Sequence, residues 1–84
     1  MLFTKAIEYA LLGLIYIADK ENPQDVETMA AELEISRSFL AKILQVLAKD
    51  GLLKSYKGAR GGFALVKTPD KYTIKEIIDS AEKR

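Results

Sequence analysis

Three punctuation marks in the middle of this 84-residue chain restrict its fold more than any other feature. Asp25 precedes "VETMAAEL", Ser36 precedes "RSFLAKILQVLAK", and Gly51 follows almost at once. A short Asp or Ser side chain accepts from the unpaired N–H groups of a first helical turn, and glycine closes a last turn. In the first segment Val26, Met29, Ala30 and Leu33 recur at i, i+3, i+4 and i+7, and in the second Leu40, Ile43, Leu44 and Leu47 give one apolar face. Only residues 34–36 separate the two, and Ile35 can staple to Leu40 and fix the angle of entry. The pattern predicts a short helix, a tight turn and a longer helix over 37–50, which is a helix-turn-helix.

The flanks complete the expectation. "AIEYALLGLIYIA" (6–18) predicts a helix over about 4–19 with Thr4 as N-cap. Leu11, Leu12, Leu14, Ile15, Tyr16 and Ile17 go most of the way round it, so it is expected to be buried on more than one side. In so small a domain that points to a second subunit, hence a homodimer. The stretch is too short to span a bilayer. Glu8 interrupts it and no small-x-small cleavage pattern follows, so a buried helix in a cytoplasmic protein is expected rather than a signal peptide, with no membrane partner. "KENPQ" (20–24) reads as a turn. "LLKSYK" (52–57) and "GFALVK" (62–67) read as strands joined by "GARG". Thr73 with Glu76 is a capping box, and Ile74, Ile77, Ile78 and Ala81 form one stripe to about 82. The fold class expected is mainly α with a small β-hairpin, a winged helix-turn-helix forming a single domain over 1–84.

The chain contains no cysteine and no histidine. Disulfides, thiolate metal sites and imidazole bases are thereby excluded, so neither an enzyme nor a structural zinc module is expected, and no cofactor. The net charge is only +1, but it is unevenly spread. Residues 1–34 carry −5, and residues 35–69 carry +6 from Arg37, Lys42, Lys49, Lys54, Lys57, Arg60 and Lys67 against Asp50. A basic middle segment of this kind suits a polyanion.

The outward face of the 37–50 helix carries Arg37, Ser38, Ala41, Lys42, Gln45 and Lys49, with Ser36 at its start and nothing acidic. Small hydroxyls and donors at a helix start suit the major groove of DNA, where the first N–H groups also favour phosphate. In the hairpin, Lys57 sits on the shoulder and Arg60 at the tip, placed to enter a minor groove or grip its phosphates. The hairpin glycines would let the main chain approach sugar edges, while Tyr56 and Phe63 are expected to anchor the hairpin on the third helix. A strand, not a helix, follows these glycines, so this is no nucleotide-binding loop. The leading expectation is double-stranded DNA. A winged-helix module that binds proteins instead is the competing one, and RNA is third because an A-form major groove excludes a helix.

"TKAIEYALLGLIYIA", "MAAELEISRSFLAKILQVLAKDGLLKS" and "YKGARGGFALVKTPDKYTIKEIIDSAE" resemble the winged-helix regulators of the IscR/NsrR/CymR type, the Rrf-two family. The most specific parts are Ile35 and Ser36 followed by Phe39 and Leu40, and Lys57 and Gly58 followed by Gly61, Gly62 and Phe63. The resemblance implies a bacterial transcription factor, usually a repressor, binding palindromic operators as a homodimer. It assigns DNA contacts to Ser36, Ser38, Lys42 and Lys57, and places Thr4 and Lys5 near phosphates. The role of Arg60 rests on charge alone. Two departures stand out. Glu34 occupies a turn position where relatives place glycine. The resemblance also implies a cysteine-bearing segment and a long dimerisation helix beyond Arg84, so an iron–sulfur sensor role does not carry over; the sequence is either a piece of a longer protein or a short form that dimerises through the apolar first helix.

Overall fold

The structure, a computed structural model, describes residues 4–82. Its order is α1 (Lys5–Ala18), α2 (Val26–Leu33), α3 (Arg37–Lys49), β1 (Leu53–Tyr56), β2 (Gly62–Leu65), a 3-10 turn (Pro69–Lys71) and α4 (Ile74–Ala81). The four helices begin at the four expected caps. Thr4, Asp25, Ser36 and Thr73 each accept from the N–H three residues on, and Thr73 and Glu76 complete the capping box. Such a cap stabilises by about 1 kcal/mol.

Both helices of the helix-turn-helix end in the same hydrogen-bond motif. At α2, Ile35 N–H reaches Ala30 O (3.1 Å) and Glu34 N–H reaches Ala31 O (3.3 Å). At α3, Leu52 N–H reaches Leu47 O (2.9 Å) and Gly51 N–H reaches Ala48 O (3.0 Å). This Schellman arrangement needs a left-handed residue in the middle. Gly51 supplies it with φ +83° and Glu34 with φ 56°, the one non-glycine residue of positive φ among those described. The turn thus takes the shape a glycine would give, at a cost of about 1 kcal/mol.

Leu40, Leu44 and Leu47 of α3 and Met29 of α2 are fully buried, with Ile7, Ala10, Leu14 and Ile17 of α1 closing over them. Ile35 lies half-buried against this core, where the staple expectation puts it. Ile77 and Ala81 of α4 and Phe63 of β2 seal the other side.

Several expected boundaries move inward. The strands predicted over 52–57 and 62–67 pair only from Leu53↔Leu65 to Tyr56↔Gly62. The ladder stops because the Tyr72 hydroxyl sits between the next two partners, donating to Leu52 O (2.7 Å) and accepting from Val66 N–H (3.1 Å). α3 ends at Lys49 rather than 50, where Asp50 caps it, and α1 and α4 are each slightly shorter than predicted. The "KENPQ" stretch is more than a turn: Gln24 forms an antiparallel bridge with Phe63. α1 packs against α2, α3, α4 and β2, as expected of a helix apolar most of the way round, but one strip of it stays open. Leu12 is 39% exposed and Ile15 68%, and Ile74 of α4 is 56% exposed. No helix among the described residues is long and apolar enough to cross a membrane.

Candidate nucleic-acid interface

The interface is built outward from the first turn of α3. The Ser36 hydroxyl accepts from Phe39 N–H (3.2 Å). Ser36 N–H would be left without an intrahelical partner; it donates to the buried Tyr9 hydroxyl of α1 (3.3 Å). The Tyr9 ring meets Phe39 edge-on at 5.0 Å. One aromatic side chain thereby fixes both the main chain and the first turn of the helix. The Ser38 hydroxyl lies 3.4 Å from that of Ser36. One of the two hydroxyl protons is spent in that contact, and the other is left for an outside acceptor.

Arg37 points back to α2, its Nε donating to Glu27 Oε1 at 2.9 Å. Lys42 and Gln45 are exposed on the same helix further along. Lys42 shares a groove of about 650 Å³ with Thr4 and Lys5 of α1, floored by Phe39, Ile43 and Val46. Residues from opposite ends of the sequence segment are thus brought together beside α3. Thr4 is partly spent: its hydroxyl caps α1 and donates to Glu82 Oε2 at 2.7 Å.

The wing loop, residues 57–61, is held from two sides. Gln24 N–H donates to Phe63 O (2.9 Å) and Phe63 N–H returns to Gln24 O (2.8 Å), while Tyr72 clasps its root. This closeness explains the double glycine. A Cβ on Gly62, at φ +140°, would lie 2.3 Å from Gln24 O, and one on Gly61 would lie 2.4 Å from Tyr56 O. Internal packing therefore requires these two glycines. The aromatic expectation divides: Phe63 is buried and anchors the hairpin, whereas Tyr56 is 43% exposed, with the Lys54 ammonium over its ring at 5.2 Å.

The seven cations of the middle segment do not all share one face. Lys67 is taken by Glu76, with both carboxylate oxygens within 3.1 Å, and it covers Tyr72. It braces the wing root to α4. Arg60 lines a different cleft from Lys42, together with Asn22, Pro23 and Asp25. Among the described residues no hydrogen bond or ion pair engages Lys5, Lys42, Lys57 or Arg60. Sequence reasoning missed Tyr9, Glu27, Gln24 and Tyr72. Tyr9 had a weak signal, as the lone aromatic in the first half of an otherwise aliphatic helix. The others act through partners 6 to 39 positions away, which no helix or strand periodicity reveals.

A helix-turn-helix followed by a braced two-stranded hairpin is a winged-helix domain. Residues 3–84 match the Rrf2 family model, described as iron-dependent transcriptional regulator. The chain belongs to the Rrf2 family. It is 45% identical over 80 residues to an Aquifex aeolicus protein provisionally named as an HTH-type transcriptional regulator, covering 94% of this chain and 56% of that protein. It is 32% identical over 84 residues to NsrR of Geobacillus kaustophilus, covering 98% of this chain and 57% of NsrR. The chain thus spans little more than half the length of these relatives. Among solved structures, CymR, the global cysteine regulator of B. subtilis, superposes with a TM-score of 0.91 at 29% identity, over 100% of this chain and 67% of CymR. IscR of T. potens superposes with a TM-score of 0.88 at 27% identity, over 98% of this chain and 61% of IscR.

The iron in the family description finds no matching donors in these residues. Thiolates and imidazoles are absent from all 84 positions, and no group of three or more carboxylates among the described residues is placed to hold a metal ion.

Proposed function

We propose that this chain reads double-stranded DNA as a sequence-specific transcriptional regulator, a repressor, with α3 in the major groove and the wing at the adjacent minor groove or its phosphates. The carrying observation is that Lys5 and Lys42 line one groove beside the capped start of α3, that the groove's carboxylate, Glu82, is taken by Thr4, and that no ion pair among the described residues engages either lysine. Ser36, Arg37, Ser38, Lys42 and Gln45 then face bases and nearby phosphates, Thr4 and Lys5 flank the backbone, and Lys57 and Arg60 grip it from the wing. Membership of a family of transcriptional regulators supports the same reading. A protein that reads bacterial DNA works in the cytoplasm.

The reading includes a homodimer. Leu12 and Ile15 on α1 line one shallow cleft and Ile15 and Ile74 of α4 the next, an apolar strip that a single chain leaves exposed. A two-fold pair reads two half-sites about one helical turn apart. Selection of bound duplexes from a random-sequence pool, with sedimentation of the same protein, tests this. An enriched palindrome bound by a dimer is expected. A pool that stays random after selection overturns the proposal.

A further inference from the structure

Glu27 is the only acidic side chain bonded to the start of α3 among the described residues, and the way it binds Arg37 carries more than the bond itself. The contact is made by Nε, at 2.9 Å, and the two terminal nitrogens of the guanidinium have no partner among the described residues. Both side chains are largely exposed, 58% for Arg37 and 73% for Glu27. As a stabiliser of the fold such a pair counts for little. A guanidinium has five donors in a rigid plane, however, and gripping the one nearest the chain orients the plane while leaving its outer edge free. That outer edge is the part that bonds bidentately to a guanine or a phosphate.

We propose that Glu27 is a positioning residue for Arg37: it aims the outer edge of the guanidinium from the start of α3 into the groove, and so raises discrimination between DNA sequences. The inference rests on the DNA-reading function proposed above. The energetic logic has two opposing parts. A free arginine samples many rotamers and must lose them on docking, so an arginine held in advance binds with a smaller ordering cost. A carboxylate near phosphates repels them, so Glu27 weakens binding to every sequence alike. Aiming strengthens the matched site, repulsion penalises all sites, and the ratio between them grows. A mere intramolecular counter-ion would weaken both equally.

The test uses a duplex selected by the wild-type protein from a random pool and a scrambled duplex of the same composition. Glu27→Ala is expected to lower the affinity ratio of selected to scrambled duplex by about three- to tenfold, while affinity for the scrambled duplex holds or rises. Glu27→Gln keeps an oxygen acceptor for Nε and is expected to retain more of the ratio. In an Arg37→Ala background, Glu27→Ala should leave the ratio unchanged. Arg37→Lys keeps the charge but has no planar edge, and is expected to lose the ratio as Glu27→Ala does. Equal tightening of both duplexes by Glu27→Ala, or an unaltered ratio, overturns the proposal. The Arg37 Nε–H resonance of the DNA-free protein separates the two levels of failure. If it shifts on Glu27→Ala but the wild type selects no duplex from the pool, the DNA reading has failed. If it does not shift, the pair itself is absent.

Discussion

The main chains of Gln24 and Phe63 exchange two hydrogen bonds, 2.9 Å one way and 2.8 Å the other, so the segment that caps α2 and the strand that carries the wing are one piece. This exchange brings the wing against the helix-turn-helix without a third full strand. It is possible only because Gly62 has no side chain. Gly62→Ala would place a Cβ 2.3 Å from Gln24 O in a backbone conformation of φ +140°. The expected loss of stability is about 2 kcal/mol or more, read as a lower urea midpoint. An unchanged midpoint would show that the bridge does not form.

Glu34 offers the opposite case. It holds the left-handed place in the Schellman motif that ends α2, at φ 56°. Glu34→Gly relieves that strain, though glycine also loosens the unfolded chain. The net expectation is a gain of up to about 1 kcal/mol in urea unfolding, with the turn geometry kept. A loss of stability would mean that the Glu34 side chain contributes more than its backbone costs.

The two serines at the start of α3 should separate cleanly. Ser36 caps the helix, whereas among the described residues the Ser38 hydroxyl meets only Ser36. Ser36→Ala is expected to cost about 1 kcal/mol in thermal or urea unfolding as well as weakening DNA binding. Ser38→Ala should leave stability within about 0.5 kcal/mol of wild type and relax sequence preference alone. Equal stability losses for both would remove the distinction.

Acid should loosen the same framework at its caps. Asp25 is held below its ordinary 3.8, first by the Thr28 N–H. Glu76 is held below its ordinary 4.5, first by the Thr73 N–H and then by Lys67. Folded values that lie below unfolded ones add stability that is complete above about pH 5. It is lost as the pH falls through the folded values. Stability is thus expected to stay level down to about pH 5 and to decline below it. Asp25→Asn and Glu76→Gln remove the charge that titrates, so they should flatten the acid decline and lower neutral stability towards the value wild type reaches in acid. A decline as steep as that of wild type would place the acid-sensitive groups elsewhere.

The caps, the turn and the hairpin were legible because they are local. Asp25, Ser36, Gly51 and the Thr73–Glu76 box each act within a few residues of themselves. The exposure of Leu12 and Ile15 was not legible, since apolar periodicity gives the width of a face but not what covers it. The fate of the basic charges was legible only in part. Composition counts Lys67 with Lys42, and only the fold shows Lys67 neutralised by Glu76 at the wing root. The Tyr72 clasp and the Gln24 bridge depend on how the chain returns on itself, which no short window records. The separation of Arg60 from Lys42 has the same origin.

The central claim is that Lys57 and Arg60, which no ion pair engages among the described residues, meet the phosphates of a duplex. The most direct measurement is the affinity for a selected duplex as a function of salt, for wild type, Lys57→Ala and Arg60→Ala. A log–log slope of several units is predicted for wild type, reduced by about one in each variant. A slope near zero for wild type, or variants that keep the full slope, would contradict it.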